Sequence, residues 1–267
     1  MGSDISDCLA EWPYDKDNNV RIVKGKDGSD KVQIRTLFGV EQFEADGRPD
    51  GWKPYGSESL LDYYLRKLEN YRKINGGLEI GFQLDSLAFE GLKEESQMFY
   101  HRYSNLFGVD FHRVLRDTNH NIQIFDIVYS YAADSEQRMH YEEWRPYLIR
   151  MNRDAQIQLY MKDKEYDKAL AHAAEAVDAL QKLNPVCVKI PNVPVHMLHP
   201  DFVRNMQISL HVLDERMKEI RLLKQKEKPE AEKIMKKLKK AVDSEDFETA
   251  ARLRDKIKNM GGGSCLN

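Results

Sequence analysis

The spacing of apolar residues from Ser57 to Leu183 is the feature that most constrains how this chain can fold. Apolar side chains recur there at steps of three and four residues, as in "SESLLDYYLRKLENYRKI", and turn residues such as Asn75-Gly76-Gly77 separate the segments. This spacing is typical of amphipathic helices that bury one face. The connections are short, so neighbouring helices should run antiparallel. We therefore predict a body of helical hairpins whose first helix is capped by Ser57.

The stretch before this body has the pattern of a small sheet. Two alternating segments, Val20–Lys24 and Lys31–Arg35, flank the turn-rich "GKDGSD", and a third apolar run covers Leu37–Phe43. Alternation around such a turn is a hairpin signal. A loop rich in Gly and Pro follows, but it lacks the spacing of a phosphate-binding loop. The predicted fold is mainly α with a small N-terminal antiparallel β-sheet, in the α+β class.

Prolines interrupt the helical pattern after the body. "NPVCVKIPNVPVHMLHP" carries four of them and cannot be helical throughout, whereas the segment from Pro200 to about Lys226 again has helical spacing. The predicted divisions are residues 1–56 (small sheet and Gly/Pro-rich loop), 57–184 (helical-hairpin body), 185–228 (Pro-rich connector and long helix), 229–260 (C-terminal helical hairpin) and 261–267 (flexible tail).

Three predicted helices begin alike, with an aromatic residue flanked by acids and followed by small or aliphatic residues. The segments are "DFHRVL" at Asp110, "EYDKAL" at Glu165 and "DFETAA" at Asp246. Helices of this kind can approach an antiparallel neighbour closely. The middle pair resembles a tetratricopeptide hairpin, because its aromatic and alanine positions fall where that repeat places packing residues. Convergent packing of a helical hairpin explains the pattern equally well.

The composition excludes several classes of protein. The sequence contains no run of 18 apolar residues, the length needed to span a membrane. The first residues lack the pattern of a secretory signal. Three scattered cysteines favour neither a disulfide framework nor a cysteine zinc site. We therefore expect a cytoplasmic protein.

No catalytic signature was found, so we predict no catalytic residue, no metal site and no cofactor. His196 and His199 lack the further ligands that a metal needs. His120 should form surface or interhelical hydrogen bonds, and the acidic run from Glu90 to Glu95 is typical of a solvated helix face. An enzyme with its site near the loop from Trp52 to Gly56 is the alternative. For the aromatic run "FYHRYSNLF", core packing is favoured over base stacking.

The charge is uneven along the chain. Residues 221–260 carry 13 Lys or Arg against 8 Asp or Glu, whereas the remainder is acidic. A basic segment can attract nucleic acid, but a Lys-rich helix face is usually only solvated. Direct nucleic-acid binding is therefore the less favoured reading of this segment.

Two short amphipathic helices joined at Asp243–Asp246 are predicted in "EAEKIMKKLKKAVDSEDFETAARLRDKIKNM". Ser244 or Asp246 can cap the second helix. A hairpin of about 30 residues is smaller than a domain that stabilises its own core. It should therefore pack on the body or pair with a second hairpin, as in a four-helix arrangement.

"LKKAVDSEDFETAARLRDKIKNM" resembles the UVR motif, the helical hairpin of UvrB, UvrC and McsA. The resemblance implies a bacterial protein whose hairpin mediates protein–protein contact, with another UVR-motif protein or with itself, in DNA repair or a stress response. The Walker, nuclease and CxxC motifs of those three proteins do not occur here, so the resemblance implies an adaptor without an activity. The interaction residues that it implies are Leu238, Ala241, Phe247, Glu248, Ala250, Ala251, Leu253, Arg254, Asp255 and Ile257.

Overall fold

A computed structural model describes residues 4–186, 200–227 and 230–261 of the chain. They contain a short first helix, a small sheet and then a succession of helices, and the chain divides into two compact units, Met1–Met217 and Lys218–Asn267. The elements are α1 (Ser6–Glu11), β1 (Val20–Lys24), β2 (Asp30–Arg35), β3 (Val40–Glu44), a 3-10 turn (Pro54–Gly56), α2 (Leu60–Ile74), α3 (Ser86–Leu106), α4 (Phe111–Tyr131), α5 (Ser135–Met139), α6 (Arg145–Lys162), α7 (Tyr166–Val186), α8 (Pro200–Glu227), α9 (Glu230–Asp243) and α10 (Phe247–Gly261). The prediction of a mainly α fold with a small antiparallel sheet is confirmed.

The three strands form an antiparallel meander in the order β1-β2-β3, in which Val32 of β2 pairs with both Ile22 and Phe43. The third strand begins later than the apolar run predicts. The run opens with Leu37 and Phe38, which lie exposed in the turn before β3. Apolar character alone therefore did not mark the start of this strand, because the turn itself contains apolar residues.

The start of α2 also differs from the prediction. Ser59, not Ser57, is the N-cap, and its hydroxyl accepts a hydrogen bond of 3.0 Å from the Asp62 backbone N–H. Ser57 follows the 3-10 turn, and its hydroxyl accepts a hydrogen bond from Arg66. The turn delays the helix by two residues, so the first serine cannot occupy the cap.

Helices α3, α4, α6 and α7 pack as successive neighbours in the first unit. Fully buried aliphatic residues such as Leu92, Ile124 and Leu148 form the core of this unit. The α6–α7 hairpin that the spacing predicts is present, and Ala169 and Ala173 on α7 are fully buried. Such small side chains let two helix backbones approach closely. The likeness of this hairpin to a tetratricopeptide unit stays a prediction.

A buried ion pair joins the helices to the sheet. The Arg102 guanidinium donates to both carboxylate oxygens of Asp117, at 2.7 and 2.8 Å, and neither side chain is exposed to solvent. A third hydrogen bond of 2.8 Å runs from Arg102 Nη1 to the carbonyl oxygen of Glu44, at the end of β3. The pair therefore fixes α3 and α4 relative to the sheet.

The carboxylate of Glu95 is a second buried charge, and it corrects the prediction of a solvated acidic face. Glu95 is fully buried and accepts hydrogen bonds from four donors. These are the backbone N–H groups of Leu60 (2.7 Å) and Leu61 (3.1 Å), Nη1 of Arg48 (2.8 Å) and Nε2 of His120 (3.0 Å). Glu90 and Glu94, on the same helix, are exposed.

Burial and hydrogen bonding have opposite effects on this carboxylate. Burial alone would raise the pKa of Glu95, but the hydrogen bonds from His120, Leu60 and Leu61 outweigh it and hold the pKa below its usual value. The charge also lies at the N-terminus of α2, where a helix favours an anion. Glu95 is therefore ionised at neutral pH.

Glu95→Gln should lower the free energy of unfolding by about 3 kcal/mol at neutral pH, because the buried Arg48 then keeps only the exposed Asp50 as a counter-charge. The lowered folded-state pKa means that the charge stabilises the fold above the unfolded-state pKa, and this contribution is lost as the pH falls through the folded-state pKa. The difference from wild type should therefore narrow on acidification. Urea unfolding at several pH values measures this difference in unfolding free energy, with Glu94→Gln as the exposed control. Equal effects of the two substitutions would contradict the role of Glu95.

Arg102→Met should cost about 3 kcal/mol of unfolding free energy, because the buried Asp117 carboxylate then keeps only the partly exposed Arg116 as an ionic partner. The double variant Arg102→Met with Asp117→Leu removes both charges and should cost less than the single variant. Urea unfolding of the three proteins measures the two differences. A double variant that is less stable than Arg102→Met would show that the pair does not behave as one buried unit.

Candidate protein-interaction site

Helices α9 and α10 form a hairpin in the second unit, with a turn at Ser244–Asp246. Glu245 has a φ of 58°, the left-handed conformation that commonly ends a helix. The backbone N–H of Asp246 donates to the carbonyl oxygen of Ala241 at 2.9 Å, which closes α9. The carboxylate of Asp246 then accepts from the backbone N–H of Thr249 at 3.1 Å and caps α10. This hydrogen bonding holds the pKa of Asp246 below its usual value.

The α6–α7 hairpin in the first unit uses the same turn. Lys164 has a φ of 60°, and the backbone N–H of Glu165 donates to the carbonyl oxygen of Tyr160 at 2.8 Å. Glu165 precedes Tyr166 just as Asp246 precedes Phe247. The similarity of "EYDKAL" to "DFETAA" therefore reflects one turn geometry that is used twice.

Half of the residues that the resemblance implies as interaction residues face the interior. Ala241 and Ala250 are buried, and so is Ile234 on α9. Leu238, Leu253 and Ile257 are half-buried. These side chains contribute to the packing of the second unit and offer little surface to a partner.

The remaining implied residues are exposed, and the most apolar of them is Phe247. Its side chain is 69% exposed at the first position of α10, and two large apolar residues of α9 are also exposed, Met235 (58%) and Val242 (50%). We call these three residues the outer apolar set. Met235 and Val242 are seven residues apart, so they lie on one face of α9. Val242 and Phe247 flank the turn.

Exposed charged residues follow Phe247 along α10. The exposed residues Glu248 and Arg252 form an ion pair of 2.6 Å, and Arg254 lies 3.3 Å from the carboxylate of the neighbouring Asp255. Ala251 is exposed as well. Exposed ion pairs add little to stability. An apolar set with a charged surround is the usual composition of a protein–protein contact.

A cavity of about 330 Å³ lies beside the loop near Trp52, where an enzyme site was the alternative, but none of residues 52–56 lines it. Arg48, Ser59, Arg116 and His120 line the cavity, and Glu95 lies buried behind it. Sequence reasoning missed this group, because Arg48 and Glu95 are 47 residues apart. The four donors around Glu95 fill its acceptor positions, and its lowered pKa makes it a poor base.

Two further predictions concern metals and membranes. Among the described residues, no group of three or more His, Cys, Asp or Glu side chains could hold a metal ion. His196 and His199 lie outside those residues. No helix in the described part of the chain has both the length and the apolar character to span a bilayer.

The comparisons with known proteins point to the hairpin alone. The family model of the UvrB/uvrC motif matches residues 230–261, which span α9 and α10. A search of curated proteins and a search of solved structures each found no match. The hairpin of α9 and α10 is therefore a UvrB/uvrC motif.

Proposed function

We propose that this protein is a non-enzymatic bacterial adaptor that works in the cytoplasm and binds a second protein through its UvrB/uvrC motif. The partner is another UVR-motif protein or a second copy of this chain. The observation that carries the proposal is the exposure of Phe247, Met235 and Val242 on a hairpin of only 32 residues. The motif suggests nucleotide excision repair or a stress response as the setting.

The energetic argument begins with the outer apolar set. Burying a large apolar side chain contributes about 1.5–3 kcal/mol, so the three residues together could supply much of the binding energy of a small interface. Aromatic residues are over-represented among the residues that dominate such interfaces. A second amphipathic hairpin that covers this set would complete a four-helix arrangement. A partner hairpin is therefore the occupant that best fits the surface.

The charged residues near the outer apolar set can distinguish one protein partner from another. Arg254 and Asp255 are exposed and next to each other, so a partner with the reverse order of charges would pair with both. Exposed charges change association rates and partner choice more than affinity. We therefore assign affinity to Phe247 and its apolar neighbours, and specificity to Glu248, Arg254 and Asp255.

Phe247→Asp should weaken association by about 100-fold, because the partner must then bury an unpaired carboxylate. Light scattering over a concentration series measures self-association, and titration with a UVR-motif protein measures binding to that second possible partner. Phe247 is exposed in the free chain, so the helix content by circular dichroism should not change.

The matched control is Thr249→Asp, which adds the same charge at an exposed polar position two residues away. It should alter association only a few-fold. If Phe247→Asp and Thr249→Asp behave alike, or if neither self-association nor binding to a UVR-motif protein occurs in the wild type, the adaptor proposal is wrong.

Direct DNA binding is the second candidate, and a specific observation favours it. Lys236, Lys237, Lys239 and Lys240 on α9 are all exposed. Such a cluster attracts phosphates without reading sequence. The adaptor proposal treats these lysines as a solvated face.

We expect the wild-type protein to bind labelled duplex DNA with a Kd no tighter than about 1 µM at physiological salt, as for non-specific attraction. Fluorescence anisotropy measures this affinity at low and at physiological salt. Tighter binding that is lost when the four lysines are replaced by Gln would favour the nucleic-acid function. The variant Phe247→Asp separates the two functions, because it should leave DNA binding unchanged.

A further inference from the structure

An aromatic pocket of about 380 Å³ lies in the first unit, away from the UvrB/uvrC motif in sequence. Helices α3, α4 and α6 and the segment between α5 and α6 contribute to its walls. The aromatic residues that line it are Tyr100, Tyr103, Phe125, His140, Tyr141, Trp144 and Tyr147. This volume is within the range of small-molecule sites.

The rings around the pocket hold one another in place. Tyr141 stacks on Phe125 with 4.4 Å between ring centroids and an angle of 10° between planes. Tyr100 contacts Tyr103 edge-on at 5.5 Å and lies 6.2 Å from Tyr147. Rings fixed in this way offer a preformed apolar surface to a flat molecule, which lowers the entropic cost of binding.

These rings also refine the interpretation of "FYHRYSNLF". Phe99 faces the core, where it stacks on His120 with 3.8 Å between ring centroids. Tyr100 and Tyr103 instead line the pocket, and Tyr100 is half exposed. Core packing therefore accounts for Phe99, whereas Tyr100 and Tyr103 border the pocket.

Two buried polar atoms on the pocket wall lack hydrogen-bond partners. Asn121 Nδ2 donates to the Ser96 carbonyl oxygen at 2.9 Å, which fixes the amide orientation and leaves Oδ1 unpaired. The Tyr141 hydroxyl is unpaired as well. Tyr103 lies near the Asn121 amide and Ser96 near the Tyr141 hydroxyl, but neither contact has hydrogen-bond geometry.

Unpaired polar atoms at such depth are uncommon. Asn121 is 2% exposed and Tyr141 is 6% exposed, and buried polar groups in proteins are almost always hydrogen-bonded. Burial raises the pKa of Tyr141, so its hydroxyl keeps its proton at neutral pH and can donate. The wall therefore holds one acceptor, Asn121 Oδ1, and one donor, the Tyr141 hydroxyl, that the fold leaves unsatisfied just beneath the pocket surface.

The charges near the pocket decide between two kinds of ligand. Aromatic walls can bind either an organic cation or a flat ring. Lys93 lines the pocket, and the Arg150 guanidinium lies 5.1 Å from the Tyr147 ring centroid. Nε of Arg150 is also buried without a partner. Two positive charges disfavour a cation, although Glu90 pairs with Lys93 at 3.3 Å.

We infer that this pocket binds a planar nitrogen heterocycle, as carried by a nucleoside. The ring stacks on the tyrosines, and a shift of the side chains that cover the two atoms lets it donate an N–H to Asn121 Oδ1 and accept from the Tyr141 hydroxyl. Bases stack on aromatic side chains in many binding sites, and an edge with adjacent donor and acceptor groups is common to nucleobases. The inference concerns the first unit and does not depend on the function of the hairpin.

Isothermal titration with adenosine, guanosine, cytidine and uridine in turn tests the site, with choline as the cation probe. At least one nucleoside should bind the full chain, and Tyr141→Phe should weaken that binding by about tenfold through the lost hydrogen bond. Tyr64→Phe removes a hydroxyl from a partly buried tyrosine of α2 that does not line the pocket, so it should have no effect.

A second variant blocks the pocket without altering its buried wall. Gln97 is exposed and lines the pocket, so Gln97→Trp should abolish binding, while Glu94→Trp on the same helix should not. Thermal melting verifies that each variant folds. The inference is overturned if no nucleoside binds at up to about 2 mM, if choline binds instead, or if binding survives both Tyr141→Phe and Gln97→Trp.

Discussion

The buried carboxylate of Glu95 organises the first unit, because four donors from different parts of the chain meet at it. The loop before α2 contributes Arg48, the start of α2 contributes two backbone N–H groups, and α4 contributes His120. Each donor would be costly to bury without this acceptor, and the carboxylate would be costly to bury without its donors. The position of α2, and with it the walls of the cavity near Trp52, therefore follows from one ionised group on α3.

The two helical hairpins, α6–α7 and α9–α10, share one turn geometry but differ in which residues of the second helix are buried. Both close through a left-handed residue and have an acid just before the second helix, and both place a buried alanine one turn into that helix, Ala169 and Ala250. One turn further along the two hairpins differ, since α7 has the fully buried Ala173 where α10 has the exposed Arg254. The body hairpin is thus covered on its small-residue face. The C-terminal hairpin keeps charged and apolar groups on its surface, as the proposed binding role requires.

Much of the secondary structure could be predicted from the sequence, because periodicity and capping are local. Asp85, Asp110 and Asp246 cap helices where an acid precedes an apolar run. What depends on tertiary contact could not be predicted. Glu94 and Glu95 are the same residue type in adjacent positions, and only the packing of α2, α3 and α4 decides which is buried. The hairpin could be identified because its motif is contiguous, whereas the residues of the aromatic pocket are spread from Lys93 to Leu148.

The ion pairs that attach the sheet span long stretches of chain, and this bears on the order of folding. Arg113 reaches Asp30 across 83 residues, and Arg116 contacts Asp46 across 70. The hairpins α3–α4 and α6–α7, by contrast, join helices that follow each other directly. Closing a long loop costs more entropy than closing a short one, and contacts distant in sequence slow folding. We therefore expect the helical body to form first, and the docking of the N-terminal sheet onto it to be the last step in the folding of the first unit.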